Sequence, residues 1–293
     1  ERILKLGRPV FWFMHDMWPL TGGCHHAFDC TKYLEKCIDC PLLHRKRDML
    51  FCKFQFEEKY RIFSKYSNLK IIAPSTWLFH LASTSLLFKN KQLIHIPNLC
   101  DINIFKPMGK GWAKRLFNLS ESKKLILFGA ATGGMGNIYK GWEYLQKAIL
   151  HLSTSSYEAV IFGEYNKTVE KQLPIKCNFI GKLYDEYSLS VLYNAADVFV
   201  TPSLADNFPN TILESLSCGT PVVAFNVGGI PDLIMHKSNG YLAHYKDCED
   251  LKKGIEWCVS QYSIQEVCRS SIIKKYSPSL IIEKHKKLMY GKI

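Results

Sequence analysis

Residues 206–232 read DNFPNTILESLSCGTPVVAFNVGGIPD, and the order of features in this segment decides the fold. Pro209 follows a polar turn and begins a helical pattern over Asn210–Ser217. An uninterrupted apolar run, Pro221–Phe225, comes next, and a glycine-rich turn, Gly228–Asp232, closes the segment. A short apolar run that follows a helix and is bounded by turn residues is typical of a buried strand in a parallel α/β sheet.

The same alternation extends outward from this segment in both directions. Between residues 125 and 258, apolar runs of strand length alternate with helical patterns, which predicts a doubly wound, mainly parallel sheet. The predicted strands are Leu125–Gly129, Glu158–Gly163, Cys177–Gly181, Asp197–Thr201, Pro221–Phe225 and Gly240–Ala243, and the predicted helices are Lys140–Ser153, Asp185–Ala195, Asn210–Ser217 and Asp247–Val259. Ligands of such sheets bind outside the carboxyl ends of the strands, so we expect the loops there to share one site.

The first hundred residues contain a second, smaller α/β pattern. Its predicted strands are Val10–Met14, Leu69–Ala73 and Gln92–Ile96, and its predicted helices are Phe54–Tyr66 and Ser75–Ser85. Three strands are few for an open sheet and the chain begins at Glu1, so we expect the natural protein to have further N-terminal strands. We predict an incomplete first domain over residues 1–105, a second domain over 106–275, and a C-terminal helix over 276–293 that packs back on the first domain. Proline and glycine residues mark 98–111 as the linker.

Composition narrows the classes of function. The chain has 293 residues, 47% of them hydrophobic, a formal net charge of +12 and eleven cysteines. No apolar run reaches the roughly 18 residues that a membrane-spanning helix needs. The positive charge suits an anionic membrane surface, a phosphorylated small molecule or nucleic acid, and nucleic acid is the weakest of these because no nucleic-acid-binding signature occurs. Cysteines that are mostly scattered singly favour a reduced, cytosolic protein over a disulfide scaffold.

Asp206 and Glu214 flank the polar turn and the first turns of the predicted helix. An ordinary turn followed by a solvated helix residue is one interpretation of this pair. A binding site is the more specific interpretation, because the backbone amides of a helix start, with Asn210 or Thr211 as the cap, bind anions. A diphosphate bound there would leave Asp206 to accept hydrogen bonds from sugar hydroxyls and Glu214 to accept a pair from ribose hydroxyls.

The segment resembles the signature of the retaining family-4 glycosyltransferases of GT-B fold. That signature has two acids separated by seven residues, a Ser-Cys-Gly-Thr-Pro-Val-Val type of block and a Gly-Gly-x-Pro-Asp turn, which correspond here to the acid pair, Ser217–Val223 and Gly228–Asp232. The first acid of the family is usually Glu and is Asp206 in this chain. The resemblance implies two Rossmann-like domains that face a cleft, the first only partly present. It also implies donor-binding roles for Asn207, Phe208, Asn210, Thr211 and Glu214.

Other parts of the chain extend the resemblance. Residues 96–107 (IPNLCDINIFKP) are similar to the interdomain linker of the family, with Leu99 in place of the usual glycine. Lys140 fits the lysine of a phosphate-binding Arg-x-x-x-x-Lys pair, whereas alanines 130 and 131 stand where the arginine is expected. The backbone amides of Thr132–Gly136 are expected to assist Lys140, the alternative being a flexible loop. Leu183 matches the loop that holds the nucleobase.

His15 ends the first predicted strand. A single histidine in such a place is more often structural than functional. Residues 14–23 (MHDMWPLTGG), however, match a bacterial polysaccharide-type subgroup of the family, in which this histidine lies near the donor sugar. The resemblance therefore implies a catalytic role for His15 together with Asp206.

Four cysteines lie within 17 residues, at Cys24, Cys30, Cys37 and Cys40. Four thiols suffice for tetrahedral zinc, and the last two have the spacing of a zinc knuckle. Reduced, partly buried thiols and a disulfide are the alternatives. Zinc in this insert would be structural rather than catalytic.

A basic stretch at residues 44–47 (HRKR) precedes an aromatic-rich helical pattern. The aromatic residues are Phe51, Phe54, Phe56, Tyr60 and Phe63. Such a segment suits the surface of an anionic membrane that carries a lipid-linked acceptor. The alternative is a helix that packs its aromatic residues into the core behind a solvated, charged start.

The resemblance implies a retaining glycosyltransferase of the hexosyltransferase type. It would move a sugar from a nucleotide-diphosphate sugar to a glycan or lipid-linked acceptor in polysaccharide or lipopolysaccharide biosynthesis. Catalysis would need no cofactor, and no nucleic acid would bind. The expected location is cytoplasmic, at the inner face of the membrane, with peripheral membrane contact. A nucleotide-sugar epimerase of similar fold and a truncated, non-catalytic nucleotide-binding remnant are the alternatives.

Overall fold

The computed structural model describes residues 1–130, 138–163 and 171–291. Contacts between residues divide this chain into two compact units. Unit 1 comprises Glu1–Pro97 and the short segment Ala205–Phe208, and unit 2 comprises Asn98–Leu204 and Pro209–Ile293. The chain therefore enters unit 1 a second time for four residues between two segments of unit 2.

Unit 1 is built on a three-stranded parallel sheet. The strands are β1 (Val10–Phe13), β2 (Leu69–Ala73) and β3 (Gln92–His95), in the order β1-β2-β3. Two helices accompany them, α1 (Lys46–Lys65) and α2 (Thr76–Thr84). Ser75 is the N-cap of α2, and its Oγ accepts a hydrogen bond from the Leu78 amide at 3.0 Å. The apolar core of the unit includes Met14, Leu20, Leu69, Ile71, Leu78 and Phe88.

The segment between β1 and α1 has little regular structure. Its only helical pieces are short 3-10 turns at Trp18–Leu20 and Lys32–Leu34. Lys59 of α1 reaches this segment and is buried at 6% exposure. Its Nζ donates to the Trp18 carbonyl at 2.6 Å and to the Thr21 carbonyl at 2.8 Å, and it lies 3.6 Å from the centre of the Trp18 ring. Burial lowers the pKa of Lys59 to about 8, and the ammonium donates to two backbone carbonyls of this irregular segment.

Unit 2 contains a six-stranded sheet in which every pairing is parallel. Its strands are β4 (Lys124–Ala130), β5 (Tyr157–Gly163), β6 (Lys176–Gly181), β7 (Val198–Thr201), β8 (Val222–Phe225) and β9 (Gly240–Ala243). The order is β6-β5-β4-β7-β8-β9. The chain moves outward from β4 to β6, then returns to place β7 on the other side of β4. The reversal creates a topological switch point between β4 and β7, where open α/β sheets bind ligands.

Seven described helices belong to unit 2. They are α3 (Lys110–Leu116), α4 (Trp142–Leu150), α5 (Glu186–Ala195), α6 (Asn210–Ser217), α7 (Cys248–Ser260), α8 (Ile264–Tyr276) and α9 (Pro278–Tyr290). Helices α5 and α7 start at aspartates, Asp185 and Asp247, whose side chains accept from amides of the first turn. Leu145, Ile149, Leu251 and Ile255 of α4 and α7 are fully buried in the core with the strands. Among the described helices, none is long and apolar enough to cross a membrane.

The predicted fold class is confirmed, because both sheets are parallel and alternate with helices. Strands β2 and β9 and helix α6 have the bounds that the sequence predicts. Helix α1 was predicted to begin only at Phe54, because its charged first turns lack apolar periodicity. Helix α8 was not predicted at all, since polar residues interrupt its apolar positions.

The predicted linker, residues 98–111, packs within unit 2. Cys100 and Phe105 are buried, and the Cys100 amide donates to the Tyr276 carbonyl at 2.9 Å. Arg269 of α8 donates to the carbonyls of Ile102 and Phe105, at 2.8 and 2.5 Å. The buried backbone of residues 98–111 therefore depends on Arg269, which lies far away in sequence. The local composition of residues 98–111 cannot indicate this contact.

Helix α3 starts within this predicted linker. It is anchored by Lys110 and Lys114, which contact Asp197 at 3.0 and 3.2 Å. Burial acts to raise the pKa of Asp197, but Lys110 and the hydrogen bond from the Leu125 amide hold it below the usual value. The ion pairs therefore attach α3 next to the starts of β4 and β7.

Candidate active site

The candidate residues of unit 2 follow the carboxyl ends of its strands. Lys140 ends a 3-10 turn after β4, α6 follows β7, the turn Gly228–Asp232 follows β8, and Leu183 follows β6. Because the strands are parallel, these loops emerge at one edge of the sheet. Strands β4 and β7 are neighbours at the switch point, so Lys140 and the start of α6 stand on adjacent loops.

Lys140 is exposed, and its turn is fixed against the segment that leads from β7 to α6. The Leu204 amide donates to the Tyr139 carbonyl at 2.7 Å. The next residue, Gly141, has a φ of 61°, and a Cβ added there would lie 2.0 Å from the Pro202 carbonyl oxygen. Only glycine allows this approach, so Gly141 determines where Lys140 stands. The glycine-rich stretch Thr132–Gly136, expected to assist Lys140, lies outside the described residues.

The start of α6 differs in one respect from the sequence prediction. Asn210 or Thr211 was expected as the cap, but Pro209 occupies the N-cap position and no side chain caps the helix. The Asn210 Oδ1 instead accepts a hydrogen bond from Asn98 Nδ2 at 2.8 Å. The proline side chain has no hydrogen-bond acceptor, so the amides of the first turn of α6 have no side-chain cap. Asn210 is exposed and Thr211 is half-buried beside this start.

Glu214 is half-buried one turn into α6. The Tyr193 hydroxyl of α5 donates to its Oε2 at 3.0 Å, and Tyr193 itself is fully buried. Burial raises the pKa of Glu214 to about 7, against the lowering effect of the Tyr193 hydrogen bond and with a smaller contribution from Glu186. The carboxyl group therefore changes its charge near neutral pH. When ionised, it is a strong acceptor for hydroxyl groups. Tyr193 was missed by the sequence reasoning, because it lies on a different helix from Glu214.

Leu183 and the turn after β8 complete the edge of the sheet. Leu183 is half-buried, two residues beyond Gly181, which has a φ of 82°. Gly228 also has a positive φ, 58°, and the Asp232 carbonyl accepts from the Tyr276 hydroxyl at 2.8 Å. The glycine-rich turn is thus held by α8, a contact that the motif itself does not indicate.

The remaining candidates, His15 and Asp206–Phe208, belong to unit 1. His15 is exposed just beyond β1, with its ring 5.2 Å from that of Phe13. Asp206 is half-buried, whereas Asn207 and Phe208 are buried at 3% and 6% exposure.

Asn207 holds the backbone of His15. Its Nδ2 donates to the His15 carbonyl at 3.0 Å, and its Oδ1 accepts from Ser75 Oγ at 2.6 Å. The structure thus brings Asn207 and His15 together through the backbone of His15. Ser75 was not among the predicted site residues. The only signal for it is an N-cap serine directly after the β2 loop.

The four cysteines of the insert come together with a fifth, Cys52 of α1. All of them are free thiols and line one small cavity. Within the described ranges, no three His, Cys, Asp or Glu side chains already stand in a metal-ligating arrangement.

The aromatic residues of α1 divide between the core and the surface. Phe56 and Phe63 are buried, at 3% and 4% exposure, whereas Phe51 and Phe54 are exposed at 62% and 58%. The core-packing interpretation thus holds for Phe56 and Phe63, and the membrane interpretation stays a prediction for the exposed part of the helix.

Comparison with protein families gives a match to "Glycosyl transferases group 1" over residues 126–261, just under half of the chain. An uncharacterised glycosyltransferase of Methanocaldococcus jannaschii is 30% identical over 176 residues, which are 56% of this chain and 44% of that protein. The sulfoquinovosyl transferase of Arabidopsis thaliana is 33% identical over 140 residues, 46% of this chain and 26% of that protein. The chain spans about half the length, or less, of the curated relatives it matches.

Solved structures agree with the fold across most of the chain. The Anabaena protein HepE in complex with UDP-glucose superposes with a TM-score of 0.72 at 16% identity, over 99% of this chain and 77% of that one. Sucrose-phosphate synthase from Thermosynechococcus elongatus gives 0.67 at 21% identity, over 86% and 63%. A lipopolysaccharide outer core galactosyltransferase gives 0.59 at 14% identity, over 76% and 62%. The chain has the GT-B glycosyltransferase fold, and its residues 126–261 match the group 1 glycosyltransferase family.

Proposed function

We propose that this chain is a retaining glycosyltransferase that takes its sugar from a nucleotide-diphosphate sugar. The observation that carries the proposal is the edge of the unit 2 sheet at the switch point, where Lys140, the start of α6 and Glu214 follow adjacent strands. A cation, a set of helix-start amides and a carboxylate match the chemistry of a diphosphate and a ribose. The HepE complex with UDP-glucose supports the same class of donor.

Each group in unit 2 has a proposed role. Lys140 and the amides at the start of α6 bind the diphosphate and stabilise the negative charge that it gains as the sugar leaves. Ionised Glu214 accepts hydrogen bonds from the two ribose hydroxyls, and Leu183 contacts the base. Asn210 and Thr211 line the phosphate position. No metal is needed for this chemistry, because the lysine and the helix supply the positive charge.

His15 and Asp206 are assigned to the transferred sugar. An exposed imidazole and a half-buried carboxylate both form hydrogen bonds with sugar hydroxyls. Asn207 and Phe208 support this segment, Asn207 by holding the His15 carbonyl. We assign no general base, because the resemblance to retaining family-4 enzymes implies that the leaving phosphate assists the acceptor.

The acceptor is proposed to be a glycan or a lipid-linked sugar of polysaccharide or lipopolysaccharide assembly, at the cytoplasmic face of a membrane. The likeness to a lipopolysaccharide galactosyltransferase supports this pathway. Exposed Phe51 and Phe54 next to Arg45 and Arg47 supply the apolar and cationic groups that an anionic surface binds. The wild type should co-sediment with vesicles that contain anionic lipid, and so should the control variant Tyr262→Ser. The double variant F51S/F54S should co-sediment much less. Equal sedimentation of all three would exclude this surface.

A screen of UDP, GDP, ADP and CMP sugars tests the donor proposal. One sugar nucleotide should raise the melting temperature, since ligand binding stabilises the folded state by mass action. Lys140→Ala should lower the affinity for the diphosphate-containing ligand more than the affinity for the nucleoside. Lys147→Ala, on the exposed face of α4, should leave both affinities unchanged. Equal losses for the two ligands would remove Lys140 from the phosphate site.

Product analysis with the labelled donor separates the proposal from its alternatives. Transfer with unchanged anomeric configuration supports a retaining transferase, and inversion contradicts it. An isomerised sugar nucleotide without transfer would identify an epimerase. Donor binding with no turnover, also in the full-length protein, would indicate a non-catalytic remnant.

A further inference from the structure

The irregular segment of unit 1 needs a source of order beyond backbone hydrogen bonding. Residues 14–45 contain only two 3-10 turns, and loops of this length without regular structure are uncommon in compact domains. Phe28 and Asp39 also adopt positive φ angles, 48° and 47°, which are costly for residues other than glycine. Lys59 holds the beginning of the segment through hydrogen bonds to the carbonyls of Trp18 and Thr21.

Four thiols of this segment and Cys52 of α1 surround one small space. A cavity of about 20 Å³ is lined by Cys24, Cys30, Cys37, Cys40 and Cys52. This volume accommodates one water-sized particle or one metal ion. None of the five is in a disulfide, although Cys40 and Cys52 are buried and the others half-buried. Reduced thiols that converge on the space of a single ion have the composition of a thiolate metal site.

A backbone amide and an ammonium group lie beside the thiols. The Gly22 amide donates to Cys37 Sγ at 3.0 Å, which is the kind of backbone hydrogen bond that stabilises a metal-bound thiolate. A Cβ on Gly22 would lie 2.4 Å from the Cys52 carbonyl oxygen and 2.9 Å from Cys37 Cβ, so the chain passes close to the thiols only because this residue is glycine. The Lys59 ammonium binds the carbonyl of Thr21, which lines the same cavity.

We propose that Cys24, Cys30, Cys37 and Cys40 bind one zinc ion as thiolates. Four S–H protons are released and four Zn–S bonds form, which gives a complex of charge 2− that the Lys59 ammonium partly offsets. Since no three of the thiols already stand in a ligating arrangement in the described structure, binding includes rotation of these side chains toward the cavity. Cys52 is left out of the ligand set because helix α1 already fixes its backbone, whereas the four ligands lie on the segment that needs the constraint.

Metal analysis of the full chain, purified with a reductant and without added chelator, tests the proposal. We expect about one zinc per chain in the wild type and in Cys52→Ser, which keeps the four ligands and removes a thiol from the same cavity. Cys24→Ser and Cys40→Ser should each lose most of the zinc. Removal of zinc from the wild type should make residues 21–45 sensitive to protease, and added zinc should restore resistance.

Cobalt provides a measurement that does not depend on whether the variants fold. Exchange of zinc for cobalt in the wild type should give the intense sulfur-to-cobalt absorption and the visible bands of a tetrahedral four-thiolate site. A folded, metal-free wild type with eleven alkylatable thiols would overturn the proposal, as would a metal-free protein with two thiols fewer, which would identify a disulfide. Loss of zinc in Cys52→Ser would overturn the proposed ligand set. None of these outcomes depends on glycosyltransferase activity.

Discussion

The two units of this protein reach order by different means. In unit 2, six parallel strands alternate with helices, and backbone groups are paired within these elements. In unit 1, three strands share the unit with a long irregular segment whose carbonyls are satisfied by buried side chains such as Lys59 and Asn207. In unit 2, substitutions should therefore lower stability mainly when an added atom collides with closely packed backbone. In unit 1, they should lower stability mainly when they remove a polar side chain that hydrogen-bonds to the backbone.

The largest effect is expected in unit 2, at Gly141. Gly141→Ala places a Cβ against the Pro202 carbonyl and forces a left-handed φ on alanine, which should lower the free energy of unfolding by about 2–4 kcal/mol. Gly181→Ala is the matched control, because its φ is also positive but nothing lies within 4 Å of the added Cβ. It should cost only about 1 kcal/mol. Denaturant unfolding measures both free energies. Equal losses would show that the Pro202 carbonyl does not restrict the side chain at position 141.

Lys59 tests the corresponding claim for unit 1. Lys59→Met keeps the apolar stem but removes the ammonium that donates to the Trp18 and Thr21 carbonyls, so the free energy of unfolding should fall by about 2–3 kcal/mol. Lys65→Met, on the exposed face of the same helix, should change it by less than about 0.5 kcal/mol. Limited proteolysis should show the effect within residues 14–45. A variant that resists protease as well as the wild type would mean that apolar packing alone orders this segment.

Glu214 is an acidic residue of unit 2 whose ionised form is disfavoured by burial. Its folded pKa of about 7 lies above the ordinary value of 4.5, so its contribution to stability is complete below about pH 4.5 and is lost as pH rises through about 7. Glu214→Gln should remove this decline in stability. If the carboxylate binds ribose, nucleotide affinity should rise in the wild type between about pH 6 and about pH 8, since the ionised form is the acceptor.

Nucleotide titrations at several pH values give the matching comparison. Glu214→Gln should bind about tenfold more weakly at pH 8 and lose the pH dependence, which corresponds to about 1.4 kcal/mol. Glu186→Gln removes an exposed neighbouring acid, so it should keep the pH dependence and move its midpoint lower. Affinity that does not change with pH in the wild type would contradict the ribose assignment.

The smallest effect is expected for the cap of α2. Ser75→Ala removes the acceptor of the Leu78 amide and the donor to Asn207, which should cost about 1 kcal/mol. Ser83→Ala, on the exposed end of the same helix, should be nearly neutral. The imidazole resonances of His15 should shift in Ser75→Ala alone, because Asn207 connects Ser75 to the His15 carbonyl. Unchanged resonances would separate the cap from the histidine.

The difference between the units also explains what the sequence could predict. Apolar runs and turns at Pro221–Phe225 and Gly228–Asp232 follow local periodicity, so the unit 2 sheet and its edge were predictable. Helix α3 was not, because its anchor Asp197 lies some eighty residues further along the chain. The partnership of Tyr193 with Glu214 joins two helices and leaves no local pattern. The cap of α6 was assigned to the wrong residue, since Pro209, whose side chain has no acceptor, occupies the N-cap position.

The brief return of the chain to unit 1 at Ala205–Phe208 has a consequence for recombination between related genes. A single crossover near residue 98 that brings in unit 2 from a relative also replaces these four residues of unit 1, and with them the Asn207 side-chain amide that donates to the His15 carbonyl. Chimeras in which position 207 no longer pairs with Ser75 should lose order around His15, while chimeras that keep both residues should not. Whether Ser75 and Asn207 can still form their hydrogen bond should therefore decide whether a chimera that exchanges unit 2 keeps an ordered His15.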